Sequence, residues 1–129
     1  MTERISSGNQ LLDAVFGGGL PAKALNMIIG LPGSGKTILA EQFTFHNASP
    51  QRPGVYLSTV SEPLDKILRY GQDLDFFDAQ AIGTSVFFDD LGRTLNDGSL
   101  DDLLAQVRAV ITERRPGVVV IDSFKALSA

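Results

Sequence analysis

The chain alternates short apolar runs with longer segments of helical period. Runs rich in apolar, β-branched or aromatic residues predict strands at residues 24–30, 55–60, 85–90 and 118–122. The last run is apolar on both faces, which is typical of a strand buried inside a parallel sheet. Because these strands alternate with segments of helical period, the pattern indicates a layered α/β domain.

The segments between these runs predict helices. The clearest helix follows Ser99, which forms an S-x-x-D start with Asp102, and it ends at Pro116 and Gly117. Its apolar residues recur at helical spacing, at Leu100, Leu103, Leu104, Val107 and Ile111. Further helices are predicted over residues 9–15 with Ser7 as the cap, over 37–48, and over about 62–70 with Gly71 as the stop.

Composition narrows the class of protein. The chain has 129 residues, which suffices for one domain, and 43% of them are hydrophobic. The net charge of −4 argues against a nucleic-acid or anionic-membrane surface on this segment. The chain has no cysteine, no apolar signal core and no membrane-length run, so we expect a cytoplasmic protein without disulfides or membrane contact.

Residues 30–37 carry the most specific motif in the chain. They read Gly-Leu-Pro-Gly-Ser-Gly-Lys-Thr and match G-x-x-x-x-G-K-[ST] at each fixed position, between a predicted strand and a predicted helix. Such glycines let several backbone N–H groups face one phosphate, and the helix N-terminus adds partial positive charge. Lys36 can reach the β- and γ-phosphates, and the Thr37 hydroxyl can bind Mg²⁺. The alternative is a Gly-rich turn without a ligand. The residues predicted to contact the nucleotide are Gly30, Pro32, Gly33, Ser34, Gly35, Lys36, Thr37 and Ile38.

Asp122 is the predicted second metal ligand. It ends the apolar run 118–122, and a P-loop enzyme needs an acid at the end of a second strand to hold Mg²⁺ directly or through water. The alternative is a strand-end aspartate that caps the following turn.

Hydrolysis also requires a base that orients or deprotonates water near the γ-phosphate. Ser123 follows Asp122, so no acid stands beside it, and Glu62 after the strand 55–60 is the best candidate. A glutamate in the first turn of a helix is also favoured by the helix dipole alone. For Asp89 and Asp90 we predict a solvated strand end.

With these residues in place, the chain resembles the RecA-type ATPase superfamily, and within it most resembles KaiC and KaiC-like ATPases. Residues 7–21, SGNQLLDAVFGGGLP, resemble the family's opening T/S-G-x-x-x-L-D with its glycine tract and Leu-Pro. Residues 55–63, VYLSTVSEP, resemble the strand that carries the catalytic glutamate. Residues 70–77, YGQDLDFF, resemble a segment typical of KaiC, and residues 118–123, VVVIDS, are similar to the superfamily's strand-end Asp followed by Ser. The resemblance spans residues 4–129.

The resemblance implies a P-loop NTPase fold with a RecA-like, mostly parallel sheet and flanking helices. It implies an ATPase that uses ATP and Mg²⁺, with Glu62 and Lys36 as catalytic residues and with Thr37 and Asp122 at the metal. It further implies signalling or circadian-clock work, a homo-oligomer that is a hexamer when the domain is complete, other protein partners, and autokinase activity in some relatives. Nothing in the sequence identifies a phosphate acceptor.

The chain departs from the family pattern in its catalytic acids and in its length. KaiC carries two adjacent glutamates where this chain has Ser61 and Glu62, which predicts slow turnover.

A RecA-type core would continue beyond residue 129, with its central strand still to come. We therefore expect residues 1–129 to be the N-terminal portion of one ATPase domain, with the C-terminal strands of the core absent or replaced by another chain. Such a piece is expected to bind nucleotide weakly and to be nearly inactive alone.

Two other functions fit the motifs. A RecA-like DNA recombination ATPase is compatible with the superfamily, although the acidic balance gives it no support. A non-catalytic scaffold, in which ATP only sets the oligomeric state, would use Lys36, Thr37 and Asp122 equally well.

Overall fold

The computed structural model describes residues 3–24, 26, 35–58, 64–91 and 99–122. Apart from Ala24 and Asn26, the predicted strand 24–30 lies outside these residues. A 3₁₀ turn covers Ala79–Ala81. The remaining elements, in chain order, are β1 (Arg4–Ile5), α1 (Gln10–Val15), β2 (Leu20–Pro21), α2 (Lys36–His46), β3 (Gly54–Ser58), α3 (Leu64–Gly71), β4 (Val86–Asp90), α4 (Leu100–Arg114) and β5 (Val118–Asp122).

The central sheet of the described residues is parallel, with the strand order β4-β3-β5. Ser58 is paired with Asp90 on one side and with Asp122 on the other, so the three strands end level with one another. This confirms the predicted α/β class and agrees with part of a RecA-like P-loop fold. It also places the last residues of all three strands at one edge of the sheet.

The face of the sheet toward α4 forms the hydrophobic core. Val55 and Leu57 of β3 are fully buried against Leu103 of α4, with Val119 and Ile121 of β5 packed around them. These residues alternate along their strands, as side chains on one face must. The side chains of β3 that lie between them are therefore directed to the opposite face.

Helix α4 begins where the sequence predicted, because the Ser99 hydroxyl accepts a hydrogen bond of 3.1 Å from the N–H of Asp102. Only part of the predicted apolar repeat is buried. Leu103 is buried, whereas Leu100, Leu104 and Ile111 remain about half exposed. Periodicity alone did not distinguish the sheet-facing residues from those along the flank of the same helix.

Helix α2 packs on the other face of the sheet. Gly54 of β3 lies so close to Thr44 of α2 that a Cβ added there would be 2.8 Å from the Thr44 Cγ2. Phe45 of α2 has its ring centroid 6.2 Å from that of Phe88 and 5.0 Å from that of Phe77. This aromatic packing holds α2 on this face of the sheet.

The N-terminal residues form a strand pair and bond to α2. Strands β1 and β2 form an antiparallel pair, and the turn before β2 needs Gly19, whose φ is +120° and whose position lies against the Ile5 carbonyl. Gln42 and Asn47 of α2 donate to the backbone carbonyls of Ser7 and Ser6, at 3.1 Å and 2.9 Å. These bonds hold the residues just before α1 against α2.

The cap of α1 differs from the prediction. Asn9, and not Ser7, accepts from the N–H of Leu12. The Ser7 hydroxyl instead donates to the Asp13 carboxylate at 2.6 Å.

Within the described ranges, no helix combines the length and apolar character that crossing a membrane requires.

Candidate functional site

Two predicted site residues meet at the carboxyl edge of the sheet. The Thr37 hydroxyl donates a 3.0 Å hydrogen bond to Oδ2 of Asp122. Thr37 lies in the first turn of α2, and Asp122 is the last residue of β5. The fold therefore joins the end of the phosphate-loop motif to the strand-end acid.

The N-terminus of α2 suits an anion. Gly35 is the N-cap, with φ of +88°, and it carries no side chain that could bond the first N–H groups of the helix. The first turn contains no acidic residue that would repel a phosphate. Lys36, the first helical residue, is half buried at this end of the helix. The described end of the motif is thus compatible with a bound phosphate.

Tyr56 is a third member of this site, and the sequence did not single it out. Its phenol donates to the same Oδ2 of Asp122 at a distance of 2.5 Å. The side chain is only 4% exposed. Burial first, and then the hydrogen bond and charge of Asp122, raise the pKa of Tyr56 above its ordinary value of 10.0. The phenol is therefore a protonated donor at neutral pH.

Glu41 lies one turn after Thr37 on α2 and is also buried. Its charge contributes to the raised pKa of Tyr56, after the effects of burial and of Asp122. The charges of Glu41 and Asp122 thus both raise the pKa of the buried Tyr56 phenol. A glutamate in mid-helix carries no sequence signal for such a position, because glutamate is common on exposed helix faces.

The chemistry of this donor set fits Mg²⁺. Mg²⁺ prefers oxygen ligands, and it is commonly held by one or two protein groups together with phosphates and water. Thr37 and Asp122 supply a hydroxyl and a carboxylate side by side. In the described part of the chain, no three or more His, Asp or Glu side chains cluster as metal ligands would. A site that depends on two side chains and a bound phosphate does not need such a cluster.

Several predicted residues lie outside the described residues, namely Gly30, Pro32, Gly33, Ser34 and Glu62. Ile38 is described and is 47% exposed on α2. Asp89, predicted as a solvated strand end, is paired with Arg114 at 3.8 Å between Nε and Oδ2. The described part of the predicted site therefore consists of Gly35, Lys36, Thr37, Ile38 and Asp122.

Comparison with known proteins finds relatives of this chain. The circadian clock oscillator protein KaiC of Acaryochloris marina is 30% identical over 127 residues, which are 97% of this chain and 24% of that protein. A UPF0273 protein of Thermotoga maritima is 28% identical over 142 residues, covering 98% of this chain and 58% of that protein. A UPF0273 protein of Pyrococcus horikoshii is 30% identical over 77 residues, covering 57% of this chain and 31% of that protein.

The chain thus spans between 24% and 58% of the lengths of these three relatives. A family model described as "ATPase: KaiC" matches residues 5–129, which is nearly the whole chain. The chain belongs to the KaiC family of ATPases.

Proposed function

We propose that the protein binds ATP with Mg²⁺ at the N-terminus of α2 and hydrolyses it. The observation that carries this proposal is the hydrogen bond between Thr37 and Asp122, because it brings the phosphate-loop hydroxyl to the strand-end acid. Membership of the KaiC family supports the same activity. The nucleotide-binding residues are those of the motif, Gly30, Pro32, Gly33, Ser34, Gly35, Lys36, Thr37 and Ile38.

Each polar side chain of the site has a separate role in this proposal. Lys36 contacts the β- and γ-phosphates and stabilises the charge that develops on them. Thr37 and Asp122 hold Mg²⁺ directly or through water. When bound, this ion neutralises charge on the β- and γ-phosphate oxygens. Glu62 accepts a proton from water as the water oxygen bonds to the γ-phosphorus, and the bond from that phosphorus to the ADP oxygen breaks.

Nucleotide binding without turnover is the second candidate. It is favoured by the hydrogen bond between Thr37 and Asp122, because these two residues and Lys36 serve binding and do not by themselves supply a base. Phosphate release by the intact protein distinguishes the two functions. Release that is lost in Glu62→Gln and retained in Glu113→Gln, an exposed position on α4, supports hydrolysis. Tight ATP binding with no release would favour the scaffold.

Binding itself is tested at Lys36. We expect Lys36→Ala to weaken ATP binding at least about tenfold, because the substitution removes a direct charge contact with phosphate. Lys23→Ala, at an exposed lysine beside β2, is the matched control. Equal affinity of the Lys36 variant and the wild type would contradict the proposed site.

The wider role is proposed from the relatives. One relative is named as a circadian clock oscillator protein, which supports a signalling role. Hexamer formation and autokinase activity stay predictions from the resemblance, as does the assignment of residues 1–129 to part of one domain. The cytoplasmic location stays a prediction from composition.

A further inference from the structure

Tyr56 occupies a position where only its ring is needed for packing. It lies on the middle strand β3, on the face toward α2, with its ring centroid 5.4 Å from that of Phe88. Phe88 in turn contacts Phe45 of α2. A phenylalanine would fill the same space. The hydroxyl therefore requires its own explanation, because a buried hydroxyl is costly unless it is hydrogen-bonded.

The partner of that hydroxyl is Asp122. The strand register pairs Ser58 with Asp122, so the residue two positions before Ser58 lies diagonally across from Asp122 on the same face. From there the phenol oxygen reaches Oδ2 of Asp122 at 2.5 Å. Since the ring is enclosed, this donor is fixed in place independently of any ligand.

The two donors of the site share one carboxylate oxygen. Thr37 and Tyr56 both donate to Oδ2 of Asp122. Among the described residues, none donates a hydrogen bond to Oδ1. The two donors, one on α2 and one on β3, hold the carboxylate in one orientation, and within the described ranges they leave its second oxygen without a donor.

We infer that Tyr56 is a positioning residue for the metal site, whose hydroxyl holds the Asp122 carboxylate so that Oδ1 remains for Mg²⁺ or for its bound water. This inference rests on the proposed function, because it assigns Mg²⁺ to Thr37 and Asp122. Tyr56 does not contact the metal in this assignment. It acts through Asp122, as outer-shell partners of metal ligands commonly do.

Thr37 alone would not hold the Asp122 carboxylate in the same way. Its side chain is exposed, and its hydroxyl oxygen is itself a proposed Mg²⁺ ligand. Tyr56 is enclosed between the sheet and α2, so its bond to Asp122 is available whether or not the nucleotide is bound. The buried phenol thus holds the Asp122 carboxylate in place before any metal binds.

The test is Tyr56→Phe in the intact protein that carries this chain, with ATP affinity measured by calorimetry in Mg²⁺ and again in EDTA. The variant removes one oxygen and keeps the ring. We expect affinity in Mg²⁺ to fall about tenfold, as for other outer-shell partners, and affinity in EDTA to stay as in the wild type. Tyr70→Phe, at the other of the two tyrosines, is the control, because Tyr70 is 68% exposed.

The EDTA measurement separates positioning from simple destabilisation. An equal loss of affinity in Mg²⁺ and in EDTA would overturn the inference, because a general structural defect does not depend on the metal. Unchanged or tighter affinity in Mg²⁺ would overturn it as well, and would leave the proposed function standing. A wild-type protein whose ATP affinity gains nothing from Mg²⁺ would overturn both.

Discussion

Thr37 and Asp122 are 85 positions apart in the chain and are joined by a 3.0 Å hydrogen bond between a hydroxyl and a carboxylate. The contact forms because α2 packs across the sheet on the same face as Asp122, while the parallel register brings the end of β5 level with the end of β3. Both the helix position and the strand register are therefore needed for the site.

Removal of the Thr37 hydroxyl is the first test of this contact. Thr37→Val keeps the shape of the side chain and removes a proposed metal ligand together with one donor to Asp122. We expect ATP binding in Mg²⁺, measured by calorimetry, to weaken at least about tenfold. Thr112→Val makes the same change on α4, where the hydroxyl donates to the Arg108 carbonyl at 2.9 Å, and should bind as the wild type does. Wild-type affinity in the Thr37 variant would show that this hydroxyl has no part in binding.

The core under α4 gives a prediction for stability. Leu103 is fully buried among β-strand residues, and Leu103→Ala is expected to lower the free energy of unfolding by about 2–5 kcal/mol, since a cavity remains. Leu104 is the next residue on the same helix and is 51% exposed. Leu104→Ala should change stability by no more than about 0.5 kcal/mol. Urea unfolding of the pair measures both values, and equal losses would contradict the assigned face of α4.

The close approach of α2 to β3 predicts an effect at Gly54. An added Cβ would be 2.8 Å from the Thr44 Cγ2 and 2.9 Å from the Thr44 carbonyl oxygen. Gly54→Ala should therefore push α2 away from the sheet and cost about 1–3 kcal/mol of stability. Gly117→Ala, where the nearest atom would be 3.4 Å away, is the matched control. If thermal unfolding finds the two variants equally stable, the contact between α2 and β3 is looser than described.

Low pH should weaken the hydrogen bonds that Asp13 accepts from Ser6 and Ser7, and so destabilise the N-terminal part of the fold. The hydroxyls of Ser6 and Ser7, and then the Ser7 N–H, lower the pKa of Asp13 from its ordinary 3.8. A lowered pKa means that the folded state favours the ionised carboxylate. The resulting stability is complete above the unfolded pKa and is lost as the pH falls through the lower, folded value.

We therefore expect Asp13→Asn to lower the midpoint of thermal unfolding at pH 6, and the two curves to converge as the pH falls below about 4. Asp73→Asn, at an exposed aspartate, controls for the loss of one negative charge. A constant gap between the wild type and Asp13→Asn across this pH range would rule out ionisation of Asp13 as the cause.

Much of the local structure was predictable, because it depends on neighbours in sequence. The strand at 118–122 was predicted at its observed bounds, and the 85–90 run begins one residue before the observed strand at Val86. The start of α4 followed from Ser99 and Asp102. The helix predicted to stop before Gly71 includes Gly71 as its last residue, and a Cβ there would be 2.3 Å from the Phe77 ring.

What sequence reasoning missed depends on distant contacts. The β1–β2 pair has two residues in each strand, which is too short for any periodicity. Tyr56 looked like an ordinary strand residue because its partner is 66 positions away. The strand order β4-β3-β5 likewise depends on packing between segments that are remote in the chain. The motif indicated that Thr37 and Asp122 belong to one site, whereas the hydrogen bond from Tyr56 to Asp122 became visible only in three dimensions.

The common end of the three strands makes the site sensitive to the insertion or deletion of one residue within β5. Side chains on a strand alternate between faces, so one residue inserted or deleted within β5 would turn Asp122 toward α4 and away from Thr37. The sequence would still contain every residue of the motif, and a search by composition or pattern would find nothing missing. The hydrogen bond between Thr37 and Asp122 would nevertheless be lost, because the face on which Asp122 lies depends on whether the number of residues before it in its strand is odd or even.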